Sequence, residues 1–202
     1  NLIRSHSSGA GQPLSEDLSR ATMLARLNSL MRGYSGIHPS AASVLTALLN
    51  ERITACIYER GGVGASGDLV QLAHLALNLI GEGEVLVDGA WRPAKVAMAA
   101  RNINPLEIHL REGLGLMNGT SAMTGVGMVN VIHARKLINC SIILSAITNE
   151  LMKSFDDHFS FELNHVKHHR GQSKVAESIR NILSDSKLIR KRPDHLYHRK
   201  ID

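Results

Sequence analysis

Residues 61–80 read GGVGASGDLVQLAHLALNLI, a run of small residues followed by an apolar stretch. Gly62-x-Gly64-x-x-Gly67 has the spacing of a dinucleotide-binding loop, and Asp88 lies about 20 residues further on, where such folds carry an acid. The surroundings argue against it. Tyr58-Glu59-Arg60-Gly61 is too polar to end a central parallel strand, and Asp88-Gly89 reads as a hairpin turn. No strand–helix alternation surrounds the loop. A P-loop is excluded because no Gly-Lys-Ser/Thr follows.

The small residues permit a different chemistry. A glycine amide is the least hindered backbone nucleophile, and glycines at 61, 62, 64 and 67 allow the chain to compress. If a tight turn drives the Gly67 nitrogen onto the Ala65 carbonyl carbon, a five-membered ring closes. Loss of water, including the Ser66 hydroxyl, then leaves an exocyclic methylene. The product is 4-methylideneimidazole-5-one (MIO), an electrophile made from the chain itself. On the loop alone, a flexible linker between helices is the competing reading.

Outward from the loop, the pattern is helical. After Pro13, LSEDLSRATMLARLNSLMRG carries Ser15 as a cap, acids in its first turn and Gly33 past its end. Its apolar stripe runs through Leu18, Thr22, Ala25, Leu27 and Leu30. HPSAASVLTALLN repeats the design, with Pro39 at the start and Val44, Leu45, Leu48 and Leu49 inward. Residues 68–80 form an apolar helix ended by Gly81 and Gly83, whose first amides point at the loop. VLVDGAWRP predicts a small hairpin. Short helices follow over RPAKVAMAARN and PLEIHLREGLGLMNG. One helix of about thirty residues begins near Ser121, then come a polar segment and a last helix over GQSKVAESIRNILSDS. The fold class is mainly α with one small β hairpin.

Composition narrows the function. Apolar residues make up 44% of 202 and aromatics only 3%, which suits packed helices. The net charge of +5 and the pI of about 9.5 invite a nucleic-acid reading. The basic residues gather near the C-terminus, however, and no aromatic-rich basic surface or zinc-finger spacing accompanies them, so no nucleic-acid partner is expected. Cys56 and Cys140 form no CxxC and read as reduced thiols of a cytoplasmic protein. Apolar stretches are broken by Gly, Asn, Lys or His, so no membrane span is expected. His165, His168 and His169 lack a carboxylate or Cys to complete a metal set and read as solvated; no metal is expected.

Several stretches in register resemble one family. GVGASGDLVQLAHLALNLIGEG resembles the signature of the MIO-dependent aromatic amino-acid ammonia-lyases and 2,3-aminomutases. NGTSAMTG at 118–125, NLIRSHSSGAGQPL at the start, RGYSGI at 32–37 and FDDHFSFELNHVKHHRGQSKVAESIRNIL are similar to further family segments. Gln71 stands where the family usually has Pro, and Gly62 where Ser or Thr is common. YERGG lacks the family's Pro, and VKHHRGQ replaces Arg-Pro-His-x-Gly-Gln.

The resemblance implies a helical bundle of the L-aspartase-like type. Residues 1–202 would form the MIO-bearing central part of a longer domain. The family's tyrosine base would lie on a loop before residue 1, and its carboxylate-binding arginine past the C-terminus; Tyr197 and Arg199 are not given these roles. Ala65, Ser66 and Gly67 would form the MIO, with no external cofactor. Asp68 would steer cyclisation, or simply cap its helix. Asn118 would stand near the MIO and substrate, or cap a helix before Gly119. Ser5, His6 and Leu72 would contact the substrate ring, His6 through a hydrogen bond to imidazole or phenol, which disfavours phenylalanine. The implied function is ammonia elimination from histidine or tyrosine by a homotetramer with shared active sites. A tyrosine 2,3-aminomutase and an inactive or split relative acting as an assembly subunit are the alternatives.

Overall fold

The computed structural model describes residues 1–191, so Tyr197 and Arg199 lie outside the described residues. The chain divides into two compact units, Asn1–Val131 and the residues from Ile132 onward.

The first unit is built on three helices. Helix α2 (Glu16–Met31) follows the short α1 (Leu2–His6) and a strand β1 (Ala10–Pro13). Its buried face carries Ser19, Thr22, Met23, Arg26, Leu27 and Leu30. That is the expected stripe turned by about one residue, and the turn brings Arg26 inward while Leu18 and Ala25 stay half-buried. Helix α3 (Pro39–Asn50) starts where expected: Pro39 takes the first helical position, and the His38 ring nitrogen Nδ1 accepts from the Ser40 amide at 3.2 Å. Helix α4 (Leu69–Leu79) buries Leu72, Ala73, Leu75, Ala76 and Leu79 against Met23, Leu45 and Leu48 in one apolar core.

The β structure is larger than a single hairpin. The predicted hairpin is present as β4 (Glu84–Val87) and β5 (Ala90–Pro93), with Asp88 at φ 49° and Gly89 at φ 75° in the left-handed turn that such hairpins favour. A two-residue strand, β2 (Thr54–Ala55), adds to β4, so the sheet order is β2-β4-β5, all antiparallel. A separate antiparallel pair joins β1 to β3 (Tyr58–Arg60). Of these three extra strands, β2 and β3 are too short to show a period of two in sequence, and β1, Ala-Gly-Gln-Pro, carries no apolar alternation. Asn78, buried at the end of α4, ties helix to sheet. Its carboxamide oxygen accepts from the Cys56 amide at 2.9 Å, and its nitrogen donates to the Glu82 and Glu84 carbonyls at 2.9 and 3.0 Å.

Helix α5 (Ala94–Ala99) agrees with expectation, but the helix predicted over 105–119 shrinks to α6 (Glu112–Met117). The Leu106 amide is drawn to the Leu79 carbonyl at 2.8 Å, and Arg111 sits at φ 70°, so a helix begins only after it. Helix α7 (Ser121–Leu151) is the long one, with 31 residues. Near its start Gly125 meets α2: a Cβ there would lie 2.5 Å from the Thr22 backbone nitrogen.

In the second unit a 3-10 turn (Asp156–Phe159), α8 (Phe161–His165) and α9 (Arg170–Ile182) follow, around a small core of Ala146, Ile179, Leu183 and Ile189. His165, His168 and His169 are exposed. Contrary to the sequence reading, the segment Glu112–Leu151 is apolar enough to match a membrane-crossing helix by length and composition, with a window of mean hydropathy 1.3 that is only 6% buried. It is not one helix, because residues 118–120 interrupt it between α6 and α7.

The α2–α7 crossing makes a paired prediction. Gly125→Ala is expected to destabilise the folded protein by about 1–3 kcal/mol through overpacking. Gly127→Ala, where a methyl would meet open space, is expected to be neutral or to stabilise by up to about 1 kcal/mol. Thermal unfolding of the two variants checks this.

Candidate active site

The glycine loop is framed by a strand and a helix, β3 before it and α4 after it, as a phosphate loop would be. The strand, however, belongs to a two-stranded antiparallel pair, and Asp88 stands in a hairpin turn, bonded to Arg101 at 3.2 Å. The dinucleotide reading therefore has neither its parallel sheet nor its acid.

The loop is instead stapled to the start of α7. The Asp68 amide donates to the Gly119 carbonyl at 2.7 Å, and Asp68 Oδ2 accepts from the Met123 amide at 2.8 Å. Asp68 stands at the N-cap of α4, yet its side chain makes no capping bond there. Its carboxylate serves the third residue of α7 instead, where helix amides lack internal partners. Gly67 has φ 100°, and a Cβ on it would run into the Gly119 carbonyl, with the carbonyl carbon only 3.0 Å away. A glycine is required at this point, and the backbone around it is held close. Ala65 and Ser66 are exposed and Gly67 is half-buried. This loop geometry fits the tripeptide that would become the MIO. Gln71, in the first turn of α4, folds back over the loop: a Cβ on Gly62 would lie 2.7 Å from its Oε1.

Asn118 ends α6 in an extended conformation, φ −84° and ψ 120°, and is exposed. By position it is the C-cap, so the capping alternative and the functional one share a residue. Helix α6 is positioned by a carboxylate that no local sequence pattern singles out. Glu112 is 2% exposed and accepts from the His38 and His109 amides, both at 2.6 Å. Burial is the strongest single influence and raises its carboxyl, but those two amides and the two neighbouring histidine rings together hold it below the usual carboxylate range.

His6 lies at the end of α1, half-buried. The Ser5 hydroxyl donates its one proton to the Leu2 carbonyl at 2.8 Å. Its oxygen then accepts from His6 Nδ1 at 3.0 Å, and that nitrogen also faces the Leu2 carbonyl at 3.0 Å. Nδ1 therefore carries a proton, and in the neutral ring Nε2 is the nitrogen that can accept from a donor. Leu72 is wholly buried in the core; its Cδ1 lies 3.9 Å from where a Cβ on Gly119 would stand, so it supports that backbone from below. Helices α1, α4 and α6 pack on one another, which gathers the elements that end in His6, begin after Asp68 and end at Asn118.

Two further buried groups were not foreseen. His74, on α4, accepts the Gly9 amide through Nε2 at 3.0 Å and meets the Tyr58 ring edge-on at 4.9 Å. Burial lowers its pKa, in keeping with a neutral acceptor. Arg26 is 3% exposed, and burial lowers its guanidinium to about 10. A charged group in an apolar stripe is the sequence signal that would have found Arg26; for His74 the signal is a histidine among buried leucines. Among the described residues no group of three His, Cys, Asp or Glu is placed to hold a metal.

The family model for aromatic amino acid lyases matches residues 1–200. The chain belongs to the aromatic amino acid lyase family. It is 40% identical over 191 residues to a histidine ammonia-lyase of Bacillus cytotoxicus, covering 95% of this chain and 38% of that protein. It is 41% identical over 194 residues to a tyrosine 2,3-aminomutase of Myxococcus sp., covering 96% and 37%. A crystal structure of the tyrosine aminomutase of Streptomyces globisporus superposes with a TM-score of 0.90 at 39% identity, over 96% of this chain and 36% of that one. The chain thus spans well under half the length of the relatives it matches.

Glu112 gives a pH prediction. A carboxyl whose folded-state pKa is depressed stabilises above its unfolded value of 4.5, and that stability is lost as pH falls through the folded-state pKa. Glu112→Gln is expected to cost about 1–3 kcal/mol near neutral pH, because one of the two part-buried amides loses its carboxylate acceptor. The gap between variant and wild type is expected to narrow below pH 4.5. Denaturant unfolding at several pH values reads both.

Proposed function

We propose that this chain carries the prosthetic group of an ammonia-lyase that releases ammonia from histidine or tyrosine and leaves an arylacrylate. The observation that carries the reading is the stapled loop: Gly67 and Asp68 are held against Gly119, with no space for a side chain on Gly67. In this reading Ala65-Ser66-Gly67 becomes MIO, which supplies an electrophilic methylene that takes up the substrate amine and turns it into a better leaving group.

The chain's own residues supply orientation. His6 offers Nε2 as an acceptor to an imidazole N–H or a phenol O–H, and a phenyl ring would leave that lone pair unmatched. Asn118, exposed at the end of α6, directly precedes Gly119, whose backbone touches the loop. Asp68 fixes the loop through backbone partners and is assigned to positioning.

A second reading has specific support. Relatives at about the same identity include both a histidine ammonia-lyase and tyrosine 2,3-aminomutases. In a mutase the released ammonia re-adds at the β-carbon. The exposed apolar residues of α7, among them Leu137, Leu144 and Leu151, fit a bundle helix that other helices cover, and we assign them to a shared homotetramer core. The free thiols of Cys56 and Cys140 fit a cytoplasmic protein.

Incubation of the full-length protein with histidine, tyrosine and phenylalanine tests the proposal. Arylacrylate from histidine or tyrosine is expected, and a β-amino acid from tyrosine would select the mutase. No product from any of the three favours an assembly subunit. In an active protein, His6→Phe is expected to lower kcat/KM for the preferred substrate about 10- to 100-fold, the loss of one hydrogen bond in a desolvated site. Its discrimination against phenylalanine should fall as well.

A further inference from the structure

Arg26 has no ion-pair partner among the described residues, although it is 3% exposed. A buried guanidinium without an acid is costly, so its retention calls for a reason in the fold. Its contacts supply one. Nη2 donates to the Gly115 carbonyl of α6, while the buried Nε has no hydrogen-bond partner among the described residues, so packing as well as bonding holds the fork. Nη1 then lies against Gly119, so close that a Cβ on Gly119 would collide with it. The Gly119 carbonyl in turn presses on Gly67 and accepts the Asp68 amide at 2.7 Å. Three groups stand in a row: a rigid guanidinium, the Gly119 peptide and the Gly67 backbone. The base of the row is anchored, because α2 meets α7 backbone-to-glycine at Thr22 and Gly125.

We propose that Arg26 is a positioning residue for ring closure, a rigid back-stop that keeps the Gly119 peptide pressed against the Ala65-Ser66-Gly67 turn. The inference rests on the MIO reading of that turn. In the closure, the Gly67 nitrogen bonds to the Ala65 carbonyl carbon. The carbonyl oxygen leaves as water with the amide protons of Ser66 and Gly67. The Ser66 α-proton and hydroxyl then leave as a second water, forming the exocyclic double bond. No oxidant or reductant is involved. The attacking nitrogen must come inside ordinary non-bonded distance of its target, and a yielding wall behind Gly119 would let Gly67 move away instead. Arginine suits the task because its fork is planar and pre-organised; lysine presents a single flexible point.

The test follows dehydration rather than turnover. Full-length wild-type protein and the variants Arg26→Met, Arg26→Lys and Gly119→Ala are isolated after a short pulse of synthesis. Intact mass and near-ultraviolet absorbance are followed over time, and circular dichroism selects folded material. Wild type is expected to lose two waters, about 36 Da. Arg26→Met and Arg26→Lys are expected to lose them roughly 10- to 100-fold more slowly while keeping their helical content. Gly119→Ala displaces the guanidinium without altering Arg26, and it decides the matter if the Arg26 variants do not fold; the same slowing is expected. Folded Arg26→Met or Gly119→Ala that dehydrates at the wild-type rate overturns the back-stop. A wild-type protein that never loses the two waters overturns the MIO reading itself, and the inference with it.

Discussion

The structure of the first unit turns on one residue, Asp68, which bonds in two directions at once. Its amide holds the Gly119 carbonyl at 2.7 Å, and its carboxylate holds the Met123 amide at 2.8 Å. The first bond draws the loop against the turn between α6 and α7. The second supplies an acceptor to the opening turn of a 31-residue helix whose first amides have no partners of their own. The glycine loop and the end of α6 are distant in sequence, and through Asp68 they become one object. The lack of any Cβ on Gly67 and Gly119 is what allows the approach.

Polar groups, not only apolar stripes, set the positions around that object. Glu112 fixes the beginning of α6 through two amides, and Asn78 joins α4 to the small sheet through three bonds. His74 holds the Gly9 turn, a few residues beyond His6, against α4. Each is buried with its partners satisfied by backbone, which is the arrangement that makes a buried polar side chain specify geometry instead of weakening the core. Apolar packing of Leu45, Leu48, Leu72 and Leu75 supplies the bulk of the driving force, but leucines alone would tolerate several registers.

Much of this is legible in the sequence. The helix boundaries at Pro39, Gly81 and Ser121, and the Asp88-Gly89 turn, follow from local chemistry that the fold does not override. His6 and Asn118, which the family motifs single out, fall at the ends of α1 and α6, which pack together with α4, and the motif's tripeptide falls on the loop that Asp68 ties to Gly119. What is not legible depends on tertiary partners. Local pattern sets the α2 stripe one residue out of register, because Ser19 and Arg26 are buried by neighbours that it does not show. It overextends the helix over 105–119, because nothing local announces that Arg111 adopts a left-handed φ or that Leu106 bonds to Leu79. Of its two alternatives for Asp68, the cap is given to the helix that the residue begins, whereas the carboxylate bonds into the opening of another one.

The central claim is that this closely held tripeptide becomes an electrophile within the chain. The most direct measurement is the mass of the tryptic peptide Gly61–Lys95, which follows Arg60 and contains no earlier cleavage site because Arg92 precedes Pro93. The peptide is expected about 36 Da lighter than its sequence requires, two waters short, with the loss localised to Ala65-Ser66-Gly67 by fragmentation. A peptide from natively folded full-length protein at its unmodified mass would contradict it.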